Sequence, residues 1–289
     1  MRRSKADIMV VHVPNPTAEL GWLMTHPKAA LVVRYQSDVV RQAAAMRFYR
    51  PFQEHFLRKA RLILPTSQQY IDSSAMLKPF EAKCRVVPLG IVANDYDAPD
   101  PERVAKLQEH YRRPFVFFCG VHRYYKGLPW LVRAARQINA PVVIAGDGPE
   151  RASIMQLAAE LNLDITFPGA LSHAELTAYL HACAVFAFPS VERSEAFGLS
   201  MLEAHACGKP VVATRLGTGV EFVNEDGKTG LNVPPKDATA FAEAVNRLLA
   251  NEELRAEMGN YARERVRKHF DAETVARQEY ELYCSALEK

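Results

Sequence analysis

The chain has 289 residues, of which 48% are hydrophobic and 24% charged, a composition typical of globular proteins. This length corresponds to about two domains, and the composition excludes a disordered, collagen-like or disulfide-rich chain. The formal net charge is only +3, which excludes a strong positive field, so we expect no nucleic-acid partner. The five cysteines form neither a disulfide framework nor a zinc-knuckle pattern, and we expect a cytoplasmic location.

Short apolar runs, predicted as strands, alternate along the chain with longer helical patterns. Most runs carry Val, Ile or Phe on successive positions, which is typical of parallel strands covered on both faces. Helices are predicted at Gly127–Ile138 and Glu150–Leu161. The sequence therefore predicts a doubly wound α/β fold. The predicted strands are Ile8–Val13, Ala30–Tyr35, Leu62–Pro65, Arg85–Leu89, Phe115–Val121, Val142–Ala145, Ile165–Phe167, Ala184–Phe188, Val211–Ala213 and Leu231–Val233.

A polar, proline-rich stretch divides the chain into two α/β units. We predict a first unit over residues 1–95, a linker over 96–111 and a second unit over 112–270. Residues 271–289 have the pattern of an amphipathic helix, which we expect to pack back on the first unit. Ligands of open parallel sheets bind beyond the carboxyl ends of the strands, so the loops after strands are where chemistry is expected.

The segment from Pro189 to Glu203 follows a predicted buried strand and leads into a helix predicted to begin near Phe197. Free N–H groups at a helix start bind anions, and Gly198 allows a ligand to approach the backbone closely. Glu195 and Glu203 are eight residues apart, which on a helix separates them by about 12 Å and about 80°. That distance suits two ends of one extended ligand, although two unrelated surface glutamates remain an alternative.

Other loops carry weaker signals. Arg123 and Lys126 lie before a predicted helix, where a bound diphosphate would offset the unfavourable interaction of their charges with the helix dipole. Gly148 belongs to a tight turn after another strand. Exposed basic residues and an ordinary turn are the alternatives. Asp95-Tyr96-Asp97 is interpreted as a solvated turn, and the histidines show no metal-ligand spacing, so no metal site is predicted.

Taken together, these segments resemble the retaining glycosyltransferases of family 4, which have the GT-B fold of two facing Rossmann-like domains. The motif Glu-x7-Glu alone is a weak signal, but several motifs in the family's order make a strong one. The segments that carry the resemblance are Pro88–Ile91, Arg123–Gly127, Gly146–Pro149, Glu195–Glu203, Cys207–Ala213 and Asp226–Leu231.

The resemblance implies a role for each matching residue. Glu195 would contact the transferred sugar, and Lys126 and Arg123 would neutralise the leaving diphosphate. Glu203 would bind the ribose hydroxyls. Further donor contacts would come from Phe197, Gly198, Leu199, Gly148, Leu171 and Gln36. The family implies neither cofactor nor metal, since cations and helix dipoles stabilise the leaving group.

Three features depart from the family pattern. Val121 stands where an arginine usually follows Gly120, and Gln36 stands where a histidine usually precedes Ser-Asp. Against the family plan, the first unit is expected to be truncated at its start. Unpaired strand edges at Ile8–Val13 or Ala30–Tyr35, together with uncovered apolar faces, would then favour self-association through that unit.

The sequence thus predicts a hexosyltransferase that moves a hexose from a nucleotide diphosphate-sugar to a polysaccharide or lipid-linked glycan, with retention. The expected partners are that donor and that acceptor, with a peripheral contact at the inner face of a membrane. The main alternative is a non-catalytic nucleotide-sugar-binding fragment. Another GT-B enzyme, an epimerase or a phosphorylase, fits the motifs less well.

Overall fold

The computed structural model describes residues 5–38 and 43–288. Its amino-terminal unit contains a parallel sheet of order β1-β2-β3. The strands and helices of this unit are β1 (Ile8–Val13), α1 (Pro16–Thr25), β2 (Ala30–Tyr35), α2 (Ala43–Lys59), β3 (Leu62–Pro65) and α3 (Gln68–Ser73).

The second unit contains a parallel sheet of order β6-β5-β4-β7-β8-β9. Its strands are β4 (Val116–Cys119), β5 (Val142–Ala145), β6 (Ile165–Gly169), β7 (Val185–Phe188), β8 (Val211–Thr214) and β9 (Gly230–Val233). The helices after residue 100 are α4 (Pro101–Tyr111), α5 (Leu128–Ala135), α6 (Arg151–Glu160), α7 (His173–Ala182), α8 (Leu199–Ala206), α9 (Gly219–Val223), α10 (Ala238–Leu249), α11 (Glu252–His269) and α12 (Ala272–Leu287).

The strands of the second unit are apolar on both faces because each face is covered by helices. In β4, Phe117 belongs to one core cluster, whereas Val116 and Phe118 belong to another. The same alternation separates Phe186 from Val185 in β7. Side chains of a strand point alternately to opposite faces, so two cores require apolar residues at successive positions. The six strands predicted for this unit are confirmed, with ends that differ by up to two residues.

One predicted strand in the amino-terminal unit was wrong. Arg85–Leu89 lies beside β3, and the N–H groups of Arg85 and Val87 donate to Ile63 and Pro65. The isolated bridge to Ile63 is made by Cys84, the residue before this segment, and Arg85–Leu89 itself forms no strand. Pro65 and Pro88 have no N–H group to donate, so the ladder cannot continue. Of the two strands considered for an open edge, β2 lies between β1 and β3, whereas β1 lies at an edge of the described sheet.

The carboxy-terminal helix α12 lies against the amino-terminal unit. Its Val275 and Ala286 share an apolar cluster with Val32 and Leu64. The predicted linker is largely helical, since α4 occupies Pro101–Tyr111 and packs against α7 of the second unit.

The chain passes between the two units twice, and these passages are hydrogen-bonded to each other. The N–H of Ile91 donates to Phe270 O at 2.9 Å, and the N–H of Ala272 donates to Ile91 O at 2.8 Å. Both connections therefore cross at one place.

The strand order reverses direction at β4, which pairs with β5 on one side and β7 on the other. The loops after β4 and β7 therefore leave the sheet toward helices on opposite sides, and a crevice forms between them. Gly127 brings these loops together. It has φ +68°, and a Cβ on it would lie 1.9 Å from Pro189 O. This crevice is where the site is expected.

Candidate functional site

A cleft of about 460 Å³ lies at the reversal point, between the two units. Gln36 and Ser37 contribute to it from the end of β2, and the remaining residues come mainly from the loops after β4 and β7. Its lining is Gln36, Ser37, Leu89, Cys119, Gly120, Lys126, Ser194, Glu195, Ala196, Phe197, Gly198, Leu199, Ser200 and Glu203. A larger cavity of about 610 Å³, near Tyr261 and Lys268, contains none of the predicted site residues. We place the site in the smaller cleft because the carboxyl ends of the strands open there.

Lys126 and Glu195 form an ion pair inside the cleft. Lys126 Nζ lies 2.6 Å from Glu195 Oε2, and Ser190 Oγ donates to the same oxygen at 3.0 Å. Glu195 is only 7% exposed, and its backbone carbonyl accepts from Thr218 Oγ1 at 2.8 Å. Two side chains therefore hold the carboxylate at Oε2, and a third holds the backbone of the same residue. Sequence reasoning gave these residues separate ligands and did not predict that they bind each other.

Helix α8 begins at Leu199, two residues after the predicted position near Phe197. Gly198 is its N-cap residue, with φ 93° and no side-chain hydrogen bond to the helix start. A Cβ there would lie 2.6 Å from Met201 Cε and 2.9 Å from Phe188 Cζ, so a larger residue would clash as well as be strained. No side-chain cap bonds to the start of this helix, and Gly198, Leu199 and Ser200 line the cleft. Free N–H groups at a helix start are able to bind an anion.

The helical estimate of the Glu195–Glu203 separation also needs correction. Glu195 lies in the loop before α8, so helical rise and rotation apply only from Leu199 onward. Phe197 is buried, and its ring packs near those of Phe222 and Phe270. Leu199, in contrast, is exposed.

Glu203 faces the cleft from the second turn of α8. Tyr96 Oη donates to Glu203 Oε1 at 3.0 Å, and burial raises the pKa of the Glu203 carboxyl above its usual value. Burial and the nearby Glu203 also raise the pKa of Tyr96, so its hydroxyl stays protonated as a donor. Sequence reasoning missed Tyr96, which is 107 residues from its partner.

The Asp-x-Asp sequence that contains Tyr96 has structural partners. Asp97 forms an ion pair with Arg267 at 2.5 Å, and Asp95 O lies 3.2 Å from His173 Nε2. Within residues 5–38 and 43–288, no group of three His, Cys, Asp or Glu residues is arranged to hold a metal ion.

Three predicted site residues lie outside the described lining of the cleft. Arg123 is exposed in the loop after β4. Gly148, with φ +152°, lies so close to His122 that a Cβ on it would be 2.7 Å from His122 O. Leu171 packs at the margin of a core cluster. The structure therefore brings together the other seven predicted residues, but not these three.

Gln36 has a neighbour that sequence reasoning did not identify. Its Nε2 lies 3.1 Å from Nδ1 of His12, an exposed residue of the adjacent strand β1. Parallel pairing of β1 with β2 brings the two side chains to the same edge. No local pattern predicted this contact, because the sequence of a strand does not identify which strands are its neighbours.

Comparison with known proteins identifies the family. Residues 100–265 match the family described as glycosyl transferases group 1. The chain is 37% identical to the O-antigen chain mannosyltransferase C of Escherichia coli, over 98% of this chain and 76% of that protein. It is also 37% identical to the D-rhamnosyltransferase WbpZ of Pseudomonas aeruginosa, over 93% of this chain and 71% of that protein.

Solved structures agree on the fold. Sucrose-phosphate synthase from Thermosynechococcus elongatus superposes with a TM-score of 0.82 at 30% identity, covering 96% of this chain and 73% of that one. Anabaena Alr3699/HepE, solved with UDP, gives a TM-score of 0.80 at 20% identity, covering 96% and 78%, and so supports the fold alone. Among the described helices, none is both long and apolar enough to cross a membrane. The chain belongs to the group 1 glycosyltransferases and is a sugar-transferring enzyme with the GT-B fold.

Proposed function

We propose that the protein transfers a hexose from a nucleotide diphosphate-sugar to a polysaccharide or lipid-linked glycan, with retention of the anomeric configuration. The ion pair between Lys126 and Glu195, beside the uncapped start of α8, is the observation that carries this proposal. Supporting it, the two relatives at 37% identity are named for transfer of mannose to O-antigen chains and for transfer of D-rhamnose. HepE has been solved with UDP-glucose.

The donor diphosphate would bind between Lys126 and the first N–H groups of α8. Lys126 is close enough to Glu195 to be neutralised by it, and an entering diphosphate would compete for that ammonium. The oxygens of Glu195 would then accept hydrogen bonds from hydroxyls of the transferred sugar. Charge that develops on the leaving diphosphate is stabilised by the ammonium and by the helix end, which are already in place.

The nucleoside would extend from the diphosphate toward Glu203. A carboxylate is an acceptor only, so it matches the two hydroxyl donors of a ribose. Tyr96 holds Oε1 of this carboxylate and leaves Oε2 available. The donor is thereby fixed at both ends, with its anomeric carbon between Glu195 and the acceptor.

The acceptor would enter from the amino-terminal unit, past Gln36 and His12. We assign no side chain as a covalent nucleophile. Retention then follows from attack on the face from which the diphosphate departs, with the departing phosphate oxygen accepting the proton of the acceptor hydroxyl. A lipid-linked acceptor is held in a membrane, and we propose that the protein works at the inner face.

A panel of nucleotide diphosphate-hexoses, each incubated with and without lipid-linked oligosaccharide, tests the function. We expect turnover of one donor that depends on the acceptor, and a product with the anomeric configuration of the donor by NMR. Binding of a nucleoside diphosphate with no turnover of any donor would favour the non-catalytic alternative. An inverted product would contradict the proposed mechanism.

Metal removal tests how the leaving group is stabilised. Because Lys126 and the start of α8 supply the positive charge, turnover is expected to stay within about twofold in excess EDTA. The measurement is the transfer rate before and after chelation, with magnesium restored as the control. A strict requirement for magnesium or manganese would contradict this account.

A further inference from the structure

One guanidinium group joins the two units beside the cleft. Arg193 lies in the loop after β7, and its Nη1 donates to Gly217 O of the second unit at 2.9 Å. Its Nη2 donates to Ser73 Oγ of the amino-terminal unit at 3.0 Å and lies 3.6 Å from Asp38 Oδ2. Both terminal nitrogens of the guanidinium are therefore engaged, on partners from different units.

The amino-terminal side of this contact is firmly held. Asp38 Oδ1 accepts from Tyr35 Oη at 2.7 Å and from Ser74 Oγ at 2.8 Å. The Asp38 N–H donates to Tyr70 Oη at 2.6 Å, and the Arg193 guanidinium lies 5.6 Å from the centre of the Tyr70 ring. Asp38 is thus fixed by its own unit, with Oδ2 directed at the arginine.

The second unit meets this contact through a close backbone approach. Ser73 Oγ also donates to Gly217 O at 2.5 Å. The Ser73 hydroxyl and the Gly217 carbonyl, which belong to different units, therefore bond to each other and both bond to Arg193. Gly217 has φ +64°, and a Cβ on it would lie 3.3 Å from Arg193 Nη1. A side chain at this position would strain the backbone and crowd the guanidinium.

The bridge connects the two walls of the cleft. Gln36 and Ser37, which line it, immediately precede Asp38 in the chain. Ser194 and Glu195, which line it from the other side, immediately follow Arg193. Arg193 itself is not part of the described lining. The two backbone crossings at Ile91 and Ala272 join the units at a different place. If one unit moves away from the other on the side of the cleft, the contacts of Arg193 with Asp38 and Ser73 must break.

We propose that Arg193 is a positioning residue that holds the two units closed, with Asp38 and Ser73 as its partners, and so aligns Glu195 with the acceptor wall. The closed arrangement places Glu195 opposite Gln36 without a direct contact between Arg193 and the donor. The expected effect of Arg193 on the rate rests on the proposed transfer reaction. The expected effect of Arg193 on the distance between the units does not depend on turnover.

Kinetics of Arg193→Ala and Arg193→Lys give the first test. We expect kcat to fall about tenfold in the alanine variant, since charge-assisted hydrogen bonds are lost at a partly exposed site. Lysine should restore only part of the rate, because one ammonium cannot bond both sides as the guanidinium does. The Kd of the nucleoside diphosphate should stay within about twofold. Arg277→Ala, which removes an exposed ion pair within α12, is the matched control.

Asp38→Asn keeps an oxygen for Tyr35 and Ser74 but removes the charge that faces Arg193. We expect a smaller loss of kcat than in Arg193→Ala. The double variant should be no slower than Arg193→Ala alone, because both changes break one interaction. Additive losses would overturn the pairing of the two residues.

The distance between the units gives the second test. Spin labels at Lys28→Cys and Ala152→Cys, in a background with Cys119→Ala and Cys284→Ser, report on it without turnover. We expect a broader and longer distance distribution in Arg193→Ala than in wild type or Arg277→Ala. An unchanged distribution overturns the proposal whatever the rate, and so does a loss of diphosphate affinity equal to the loss of kcat. If wild type transfers no sugar, the proposed function fails, and the distance distribution still decides whether Arg193 closes the units.

Discussion

The two units differ in how they contribute to the cleft. The six-stranded sheet reverses its order at β4 and β7. The loops at that reversal supply an ion pair and lead into α8, which carries Glu203. The strands of the described amino-terminal sheet follow one another in order, β1-β2-β3, with no reversal, and supply the uncharged Gln36 and Ser37.

This difference suggests separate roles for the two units, donor binding in the second and closure of the cleft in the first. A strand-order reversal creates a crevice within one sheet, so we expect the second unit to bind the proposed anionic donor by itself. We expect the amino-terminal unit to act on that donor only by approaching it. Changes in the second unit should therefore alter donor binding and chemistry, whereas changes in the first should alter closure, acceptor use and association.

The largest expected effect comes from Glu195→Gln. Removing this charge should lower the transfer rate by at least about 100-fold, because the sugar loses its positioning contact. Affinity for the nucleoside diphosphate should be unchanged or higher, since Lys126 no longer shares its charge with Glu195. Single-turnover kinetics and calorimetry measure the two quantities, with Glu192→Gln in the same loop as the control. A parallel loss of diphosphate affinity would contradict the assignment.

Glu203→Gln should act mainly on binding. Loss of hydrogen bonds to a charged acceptor should weaken nucleoside diphosphate binding about 10- to 150-fold. In wild type, the same affinity should fall as the pH is lowered through the raised pKa of Glu203, because protonation removes an acceptor. Calorimetry across pH measures this. Unchanged affinity in the variant would remove Glu203 from the donor site.

The same substitution should stabilise the fold at neutral pH. A carboxyl whose pKa is raised on folding binds protons more tightly in the native state, so its ionisation at higher pH reduces the free energy of unfolding. Glutamine removes that cost while keeping an oxygen for Tyr96. We expect a higher Tm than wild type at pH 7 and a smaller difference below the usual carboxyl pKa. A lower Tm at pH 7 would contradict the prediction that ionised Glu203 reduces the free energy of unfolding.

His205 should make the second unit sensitive to acid. Burial lowers the pKa of His205 from 6.5 to about 3, so between these values the unfolded state binds the proton more readily. Stability from this residue is complete above pH 6.5 and is lost as the pH falls below it. From pH 7 to pH 5 we expect a loss of about 2 kcal/mol in the free energy of unfolding.

Chemical denaturation at both pH values measures this loss. His205→Gln should remove most of the difference between them, and the exposed His110→Gln should retain it. If the pH dependence persists in His205→Gln, another group is responsible.

The smallest expected effect concerns the exposed apolar surface of the amino-terminal unit. Met24 on α1 is 78% exposed, and Phe48 and Phe52 on α2 are 81% and 54% exposed. Replacing both phenylalanines by serine should weaken self-association about tenfold, since less apolar surface is removed from water on contact. Sedimentation velocity over a concentration series measures it, with Met155→Ser on the second unit as the control. Identical profiles for wild type and the double variant would rule out this surface.

Local sequence determined much of this protein. Successive apolar positions specified the six strands of the second unit, because both faces of that sheet are covered. The loops after the strands directed attention to Lys126, Glu195, Gly198 and Glu203, and these residues do meet in one cleft. These features could be predicted because burial periodicity and turn residues depend on amino acids that are near each other in the chain.

The tertiary structure alone decided which of these groups touch. Lys126 and Glu195 are 69 residues apart, and they pair because β4 and β7 are neighbours, an order that no local pattern encodes. The bonds from Tyr96 to Glu203 and from Arg193 to Ser73 depend likewise on how the two units pack. Strand order and domain packing are set by long-range burial of apolar surface, so the same local sequence is compatible with several arrangements until the whole core forms.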